Sequence, residues 1–77
     1  MRQYDYSKLL GRIKERGFTQ AAFAKRLGIS PCTLNLSLNN KRGFRQDEIF
    51  CAIGLLHIPT NELANYFFMP KLQITKY

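Results

Sequence analysis

The sequence predicts an all-α fold, a compact domain of five short helices, in which the 77 residues form one domain, residues 1–77. Apolar residues recur at helical spacing in successive segments, and residues that favour helix ends separate these segments. Alternation of apolar and polar residues, which is typical of a strand, occurs only in residues 71–76. We therefore expect helices up to this point, followed by a short C-terminal strand or an extended tail.

The first two helices are delimited by residues with known capping preferences. The first helix is expected to begin with Asp5 or Ser7 as its N-cap and to end at Gly17, because glycine readily adopts the left-handed backbone that follows a helix. The second helix is expected to begin after Thr19, a favourable N-cap, and to end at Gly28 for the same reason.

The later helices follow the same rules. Ser30 is expected to cap the third helix, with Pro31 at its first position, and the asparagine pair at 39–40 is expected to end it. A fourth helix is expected over residues 46–56, and Thr60 is expected to cap a short fifth helix.

The fourth helix combines an unfavourable N-cap with a strongly apolar body. Arg45 occupies the N-cap position, although Glu48 follows three residues later, as in a capping box. We expect Cys51 to be buried within the apolar stripe of this helix, which is formed by Ile49, Phe50, Ile53 and Leu56.

Basic and acidic residues occupy different parts of the chain. Residues 1–45 contain ten Lys or Arg and two acids, whereas residues 46–70 contain three acids and no Lys or Arg. Such a chain presents a basic face to a polyanion and keeps an acidic face away from it. The pattern favours binding to a phosphate backbone, and the lack of a long apolar segment argues against a membrane protein.

The sequence has no constellation typical of a catalytic or metal site. Cys32 and Cys51 are 19 residues apart and His57 is the single histidine, so neither a zinc site nor a disulfide framework is expected. There is no carboxylate pair, Ser/His or Cys/His arrangement, or Gly-rich phosphate loop. We therefore expect a cytoplasmic binding protein that needs no cofactor, and not an enzyme.

The second and third helices have the spacing of a helix-turn-helix. Residues 19–27 and 30–38 are separated by a turn that contains Gly28, and Ala24 is small enough for the two helices to cross closely. In this geometry the N-terminal half of the third helix points outward, where it can enter a DNA major groove about 12 Å wide.

The run TQAAFAKRLGISPCTLNLSLNN, residues 19–40, resembles the helix-turn-helix of phage repressors of the Cro/CI type, although Ser37 stands where that family usually has an apolar residue. The opening YDYSKLLGRI and the stretch LNNKRGF look similar to a subgroup of small phage-encoded regulators that consist of this domain alone. The resemblance implies a lambda-repressor-like DNA-binding domain, with its motif at residues 19–39 and a C-terminal tail at residues 69–77.

The resemblance and the chemistry of the side chains together assign contacts with DNA. Contacts with base edges are expected from one side of the third helix: Cys32, Thr33, Asn35 and Leu36. Contacts with phosphates are expected from the start of the second helix and from the end of the third helix and the loop after it: Gln20, Asn39, Asn40, Lys41, Arg42 and Arg45. Residues 27–40 carry no charge, which favours reading of A·T base pairs.

These features predict a sequence-specific transcriptional regulator that binds double-stranded DNA, and the resemblance implies that it is a repressor from a phage or prophage. A domain of this size makes few base contacts, so we expect a weak homodimer on a pseudo-palindromic operator. The candidate dimer contacts are apolar residues of the C-terminal third: Leu56, Ile58, Phe68, Leu72 and Ile74.

A protein-interaction module is the alternative. Residues 66–69 are apolar, and exposed apolar surface of this kind often marks a partner site. In this case the chain would be an antitoxin or an anti-repressor partner that uses its apolar tail to bind a phage or host protein. RNA binding is a third possibility, which the lack of a stacking sheet disfavours.

Overall fold

The computed structural model describes residues 3–70 and consists of helices, as the sequence predicts. The helices are α1 (Ser7–Glu15), α2 (Gln20–Leu27), α3 (Pro31–Leu38), α4 (Gln46–Leu56) and α5 (Leu63–Phe67), with a 3-10 turn at Thr60–Glu62 directly before α5. The predicted strand or tail, with Leu72 and Ile74, lies outside the described residues. None of the helices within residues 3–70 has the length and apolar character that a membrane crossing requires.

The predicted caps delimit α2 and α3. The hydroxyls of Thr19 and Ser30 each accept a hydrogen bond from the N–H three residues later, both at 3.0 Å. Gly17 and Gly28 follow α1 and α2 with φ angles of 83° and 80°, the left-handed conformation that glycine adopts at least cost. Local chemistry therefore determines where these helices begin and end.

The N-terminal segment is held against the other end of the described chain. Tyr4 forms an isolated antiparallel bridge with Pro70, and the N–H of Asp5 donates to the carbonyl of Met69 at 2.8 Å. The carboxylate of Asp5 also accepts the N–H of Ser7 at 2.9 Å, at the start of α1. The first helix therefore begins next to the last described residues.

The core lies between the inward faces of the five helices. α2 packs against α3 and α4, and α1 packs against α5. The ring of Phe44, in the loop before α4, makes edge contacts with Tyr6 and Phe67 at centroid distances of 5.4 and 5.3 Å. The buried apolar residues are Tyr6, Leu9, Ile13, Phe23, Ala24, Leu34, Ile49, Ala52, Leu56, Ile58, Tyr66 and Phe67.

Two expectations about the apolar residues of α4 and the following loop need correction. Leu56 and Ile58, expected at a dimer interface, are 0% and 5% exposed and complete the core of the single chain. Phe50 and Cys51, expected in the core, are both exposed. At about 100° per residue, the buried face formed by residues 48, 49, 52 and 56 leaves both side chains on the outward side of the helix.

Candidate interaction surfaces

The outward side of α3 contains three of the four residues expected to contact bases. Cys32, Asn35 and Leu36 are exposed and lie within an arc of about 100° on this helix. Thr33 is half-buried, and its hydroxyl accepts a hydrogen bond from the hydroxyl of Ser30 at 2.8 Å. We call the exposed set formed by Cys32, Asn35, Leu36 and Asn39 the α3 surface.

The amide of Asn35 is engaged within the helix. Nδ2 of Asn39 donates to Oδ1 of Asn35 at 2.6 Å and to its backbone carbonyl at 2.8 Å. The side-chain carbonyl oxygen of Asn35 therefore already accepts a hydrogen bond, and the NH₂ group of Asn35 is the part of the amide that can donate to a partner. Leu36, 44% exposed, adds an apolar patch to the α3 surface.

The residues expected to contact phosphates fall into two groups. Gln20, Asn39, Lys41 and Arg45 are exposed, and Nε of Arg45 lies 3.7 Å from a carboxylate oxygen of Asp47. Asn40 and Arg42, the second group, have structural partners within the chain and are described next. The structure therefore does not bring all six residues together on one exposed face.

Asn40 connects the loop after α3 to the N-terminal segment. The N–H of Tyr4 donates to Oδ1 of Asn40 at 2.8 Å, and Nδ2 of Asn40 donates to the carbonyl of Tyr4 at 3.0 Å. The backbone of Asn40 has a φ angle of 62°, a left-handed conformation that asparagine tolerates better than most residues. Its side chain thus satisfies both the N–H and the carbonyl of the Tyr4 backbone.

Arg42, in the same loop, forms a hydrogen-bond network that connects α3 to α4. Its guanidinium donates to both carboxylate oxygens of Glu48, at 3.1 and 2.7 Å, and to the hydroxyl of Ser37 at 2.8 Å. Ser37 and Glu48 are 0% and 5% exposed. The hydrogen bonds from Arg42 hold the pKa of Glu48 below its ordinary value, which outweighs the opposing effect of burial. The buried hydroxyl of Ser37, which stands where Cro/CI-type repressors usually have an apolar residue, therefore has a hydrogen-bond partner inside the fold.

A second candidate surface lies between α4 and α5. A groove of about 400 Å³ separates the outward side of α4 from the end of α5. Phe50 and Phe68 stand at this groove with 55% and 46% of their surface exposed. We call the apolar residues that line it the aromatic surface: Phe44, Ile49, Phe50, Leu63 and Phe68.

Acidic groups flank the aromatic surface. Asp47 lies one turn before Phe50 on the outward side of α4, and Glu62 directly precedes Leu63. The sequence pattern predicts Phe68 as a contact residue but not Phe50. No local signal marks Phe50, because residues 49–56 are all apolar or glycine.

Comparison with solved structures relates the chain to a phage regulatory protein. The solution structure of the modulator of repression (MOR) of the temperate bacteriophage TP901-1 from Lactococcus lactis matches with a TM-score of 0.72 and 43% sequence identity. The match covers 84% of this chain and 88% of that chain. A comparison with curated proteins found no significant match. Residues 2–70 match the model of a family described as a protein of unknown function (DUF739), and the chain belongs to this family.

Proposed function

We propose that the protein is a phage regulatory protein that modulates repression by binding a repressor protein. The exposed aromatic surface is the observation that carries this proposal, because aromatic side chains around an apolar groove are typical of protein contact sites. The similarity to the modulator of repression of TP901-1 supports a role in phage regulation. The proposal corresponds to the anti-repressor alternative, with the contact placed at Phe50 as well as at Phe68.

The charge of this region indicates the chemistry of the partner face. Asp47 lies one turn before Phe50 on α4, with Nε of Arg45 3.7 Å from its carboxylate, and Glu62 directly precedes Leu63. The third acid of residues 46–70, Glu48, is buried against Arg42 and does not add to the surface. The DNA-binding face of a repressor is basic because it contacts phosphates. An apolar surface with the carboxylates of Asp47 and Glu62 at its edge complements such a face. We therefore propose that the aromatic surface covers part of the face with which the repressor binds DNA.

Calorimetric titration tests this proposal. The ligand is the purified repressor encoded by the phage or prophage that carries this chain. Phe50→Ala should weaken binding by about 2 kcal/mol, roughly thirtyfold, because an exposed aromatic anchor is lost. Lys25→Ala, an exposed change on α2, is the matched control and should bind as the unchanged chain does. Equal affinities of Phe50→Ala and the unchanged chain would exclude the aromatic surface as the site that binds the repressor.

Sequence-specific binding of double-stranded DNA is the second candidate function. The turn at Gly28, the packing of α2 on α3 and the outward α3 surface support it, and Lys41 and Arg45 are exposed nearby. The weak homodimer on a pseudo-palindromic operator, as in Cro/CI-type repressors, belongs to this proposal. Phe68 is the exposed member of its candidate dimer contacts among the described residues.

Selection of duplexes from a random DNA pool at two salt concentrations tests the second candidate. An enriched two-fold-related site whose binding weakens as salt rises would support a DNA-binding repressor. Absence of any enriched site would leave repressor binding as the function. Under either candidate we propose a cytoplasmic binding protein of one domain, residues 1–77, without catalytic activity.

A further inference from the structure

A second groove lies between α1 and the start of α2, and it shares no residue with the aromatic surface. Its volume is about 450 Å³. Leu10, Ile13 and Phe18 form an apolar floor, and Lys14 and Gln20 stand at its edges. Leu10 is 36% exposed at this position, so part of the floor remains open to solvent. The groove thus offers space and apolar contact for a bulky side chain.

Positive charge at the edges of this groove comes from Lys14 and from the N-terminus of α2. Lys14 is exposed there, and helix geometry leaves the N–H groups of Gln20 and Ala21 without an acceptor inside α2. Glu15, the neighbouring acid, pairs with Arg12 at 2.8 Å. No acidic side chain of residues 3–70 lines the groove. A carboxylate at the edge would therefore meet a cation and a helix N-terminus with no opposing charge.

Gly11 lines the same groove from the interior of α1. A glycine inside a helix lowers the stability of the fold by about 0.5–1 kcal/mol relative to alanine. A Cβ atom at Gly11 would meet nothing within 4 Å, so the packing of the chain itself does not require glycine here. The bare backbone leaves room for another chain to approach α1 at the groove.

We propose that this groove binds a short acidic segment of a partner protein. A bulky apolar side chain of that segment packs on Leu10 and Phe18, and an adjacent carboxylate lies against Lys14 and the first N–H groups of α2. DNA is the less suitable occupant, because a phosphate backbone has no bulky apolar group for the floor. The site is separate from the aromatic surface and gives the protein a second protein contact.

Backbone amide shifts of the isotope-labelled full chain test this site. The probe is a blocked synthetic octapeptide that contains leucine, phenylalanine and glutamate. Saturable shifts should concentrate at residues 10–14 and 18–21. Replacement of glutamate by glutamine, or of the apolar residues by alanine, should weaken binding about tenfold. Absence of saturable shifts, or shifts centred on the aromatic surface, would overturn the proposal.

Variants separate this groove from other surfaces. Gly11→Trp fills the groove and Lys14→Glu reverses the charge at its edge, so both should weaken peptide binding about tenfold or more. Lys14→Glu is a surface change that keeps the test decisive if Gly11→Trp does not fold. Phe50→Ala should bind the peptide normally, whichever way the repressor titration turns out. Displacement of the peptide by a DNA duplex at the same residues would identify a nucleic-acid site and overturn the proposal.

Discussion

The guanidinium of Arg42 forms a bidentate ion pair with the carboxylate of Glu48, with Nη1–Oε1 and Nη2–Oε2 distances of 3.1 and 2.7 Å. The same carboxylate accepts the N–H of Arg45 at 3.0 Å, at the start of α4. The hydroxyl of Ser37, near the end of α3, accepts a further hydrogen bond from Arg42. This network fixes α4 relative to α3 and thereby orients the aromatic surface.

Glu48→Gln should lower the free energy of unfolding by about 1–3 kcal/mol, because it keeps the shape of the side chain but removes the charge that Arg42 needs. Urea unfolding followed by circular dichroism measures the change. Asp47→Asn, at a side chain that is 78% exposed, is the matched control and should change stability by less than about 0.5 kcal/mol. Similar losses for the two variants would contradict the structural role of the network.

The stability of the protein should fall in acid because of the same pair. The pKa of Glu48 is lowered in the folded chain, chiefly by the hydrogen bonds from Arg42. The stabilisation is therefore fully present above the ordinary glutamate pKa of about 4.3 and is lost as the pH falls through the lower pKa of the folded state. Melting temperatures between neutral and acidic pH should decrease more for the unchanged chain than for Glu48→Gln. Parallel plots of melting temperature against pH for the two proteins would show that Glu48 does not contribute to the loss of stability in acid.

Substitutions of Asn40 should separate its side-chain bonds from its backbone conformation. Asn40→Gly removes the two hydrogen bonds to Tyr4 but accepts the positive φ angle without strain. Asn40→Ala removes the same bonds and adds strain, so it should be less stable than Asn40→Gly by about 1 kcal/mol. Chemical denaturation of both variants measures this difference. Equal stabilities would mean that the left-handed backbone at this residue is not retained.

Replacing Gly11 or Gly17 by alanine should change the free energy of unfolding in opposite directions. Gly11→Ala should raise the free energy of unfolding by about 0.5–1 kcal/mol, since the position is helical and open. Gly17→Ala should lower it by about 1 kcal/mol, because φ is 83° there. Thermal unfolding of the pair measures both signs. A destabilising Gly11→Ala would show that α1 is packed more closely at this position than the structure has it.

The bounds of α2, the end of α1 and the start of α3 could be predicted because their signals are local. The N-cap of α1 is Tyr6 instead of Asp5 or Ser7, and that of α5 is Glu62 instead of Thr60. Thr19, Ser30, Gly17 and Gly28 each act on backbone groups within a few residues, so a short stretch of sequence contains the whole interaction. The outward α3 surface followed from the same helix boundaries. What could be predicted of the fold is therefore the part that depends on neighbours in sequence.

The partners of the polar side chains could not be predicted in the same way. Asn40 and Tyr4 are 36 residues apart, and their pairing depends on how the chain ends are brought together. Residues 49–56 are all apolar or glycine, so periodicity does not select which side of α4 is buried. The packing of Ile49, Ala52 and Leu56 into the core sets the buried side, with Glu48 beside Arg42, and leaves Phe50 facing outward in the aromatic surface.

Amide shift mapping with unlabelled repressor tests whether the aromatic surface binds the repressor, because it locates the contact without any substitution. The isotope-labelled chain is titrated with the repressor encoded by the phage or prophage that carries it, and separately with a DNA duplex. The repressor should shift the amides of residues 46–53 and 63–69. Repressor shifts confined to the α3 surface, or no repressor shifts together with saturable DNA shifts at residues 31–45, would contradict this expectation.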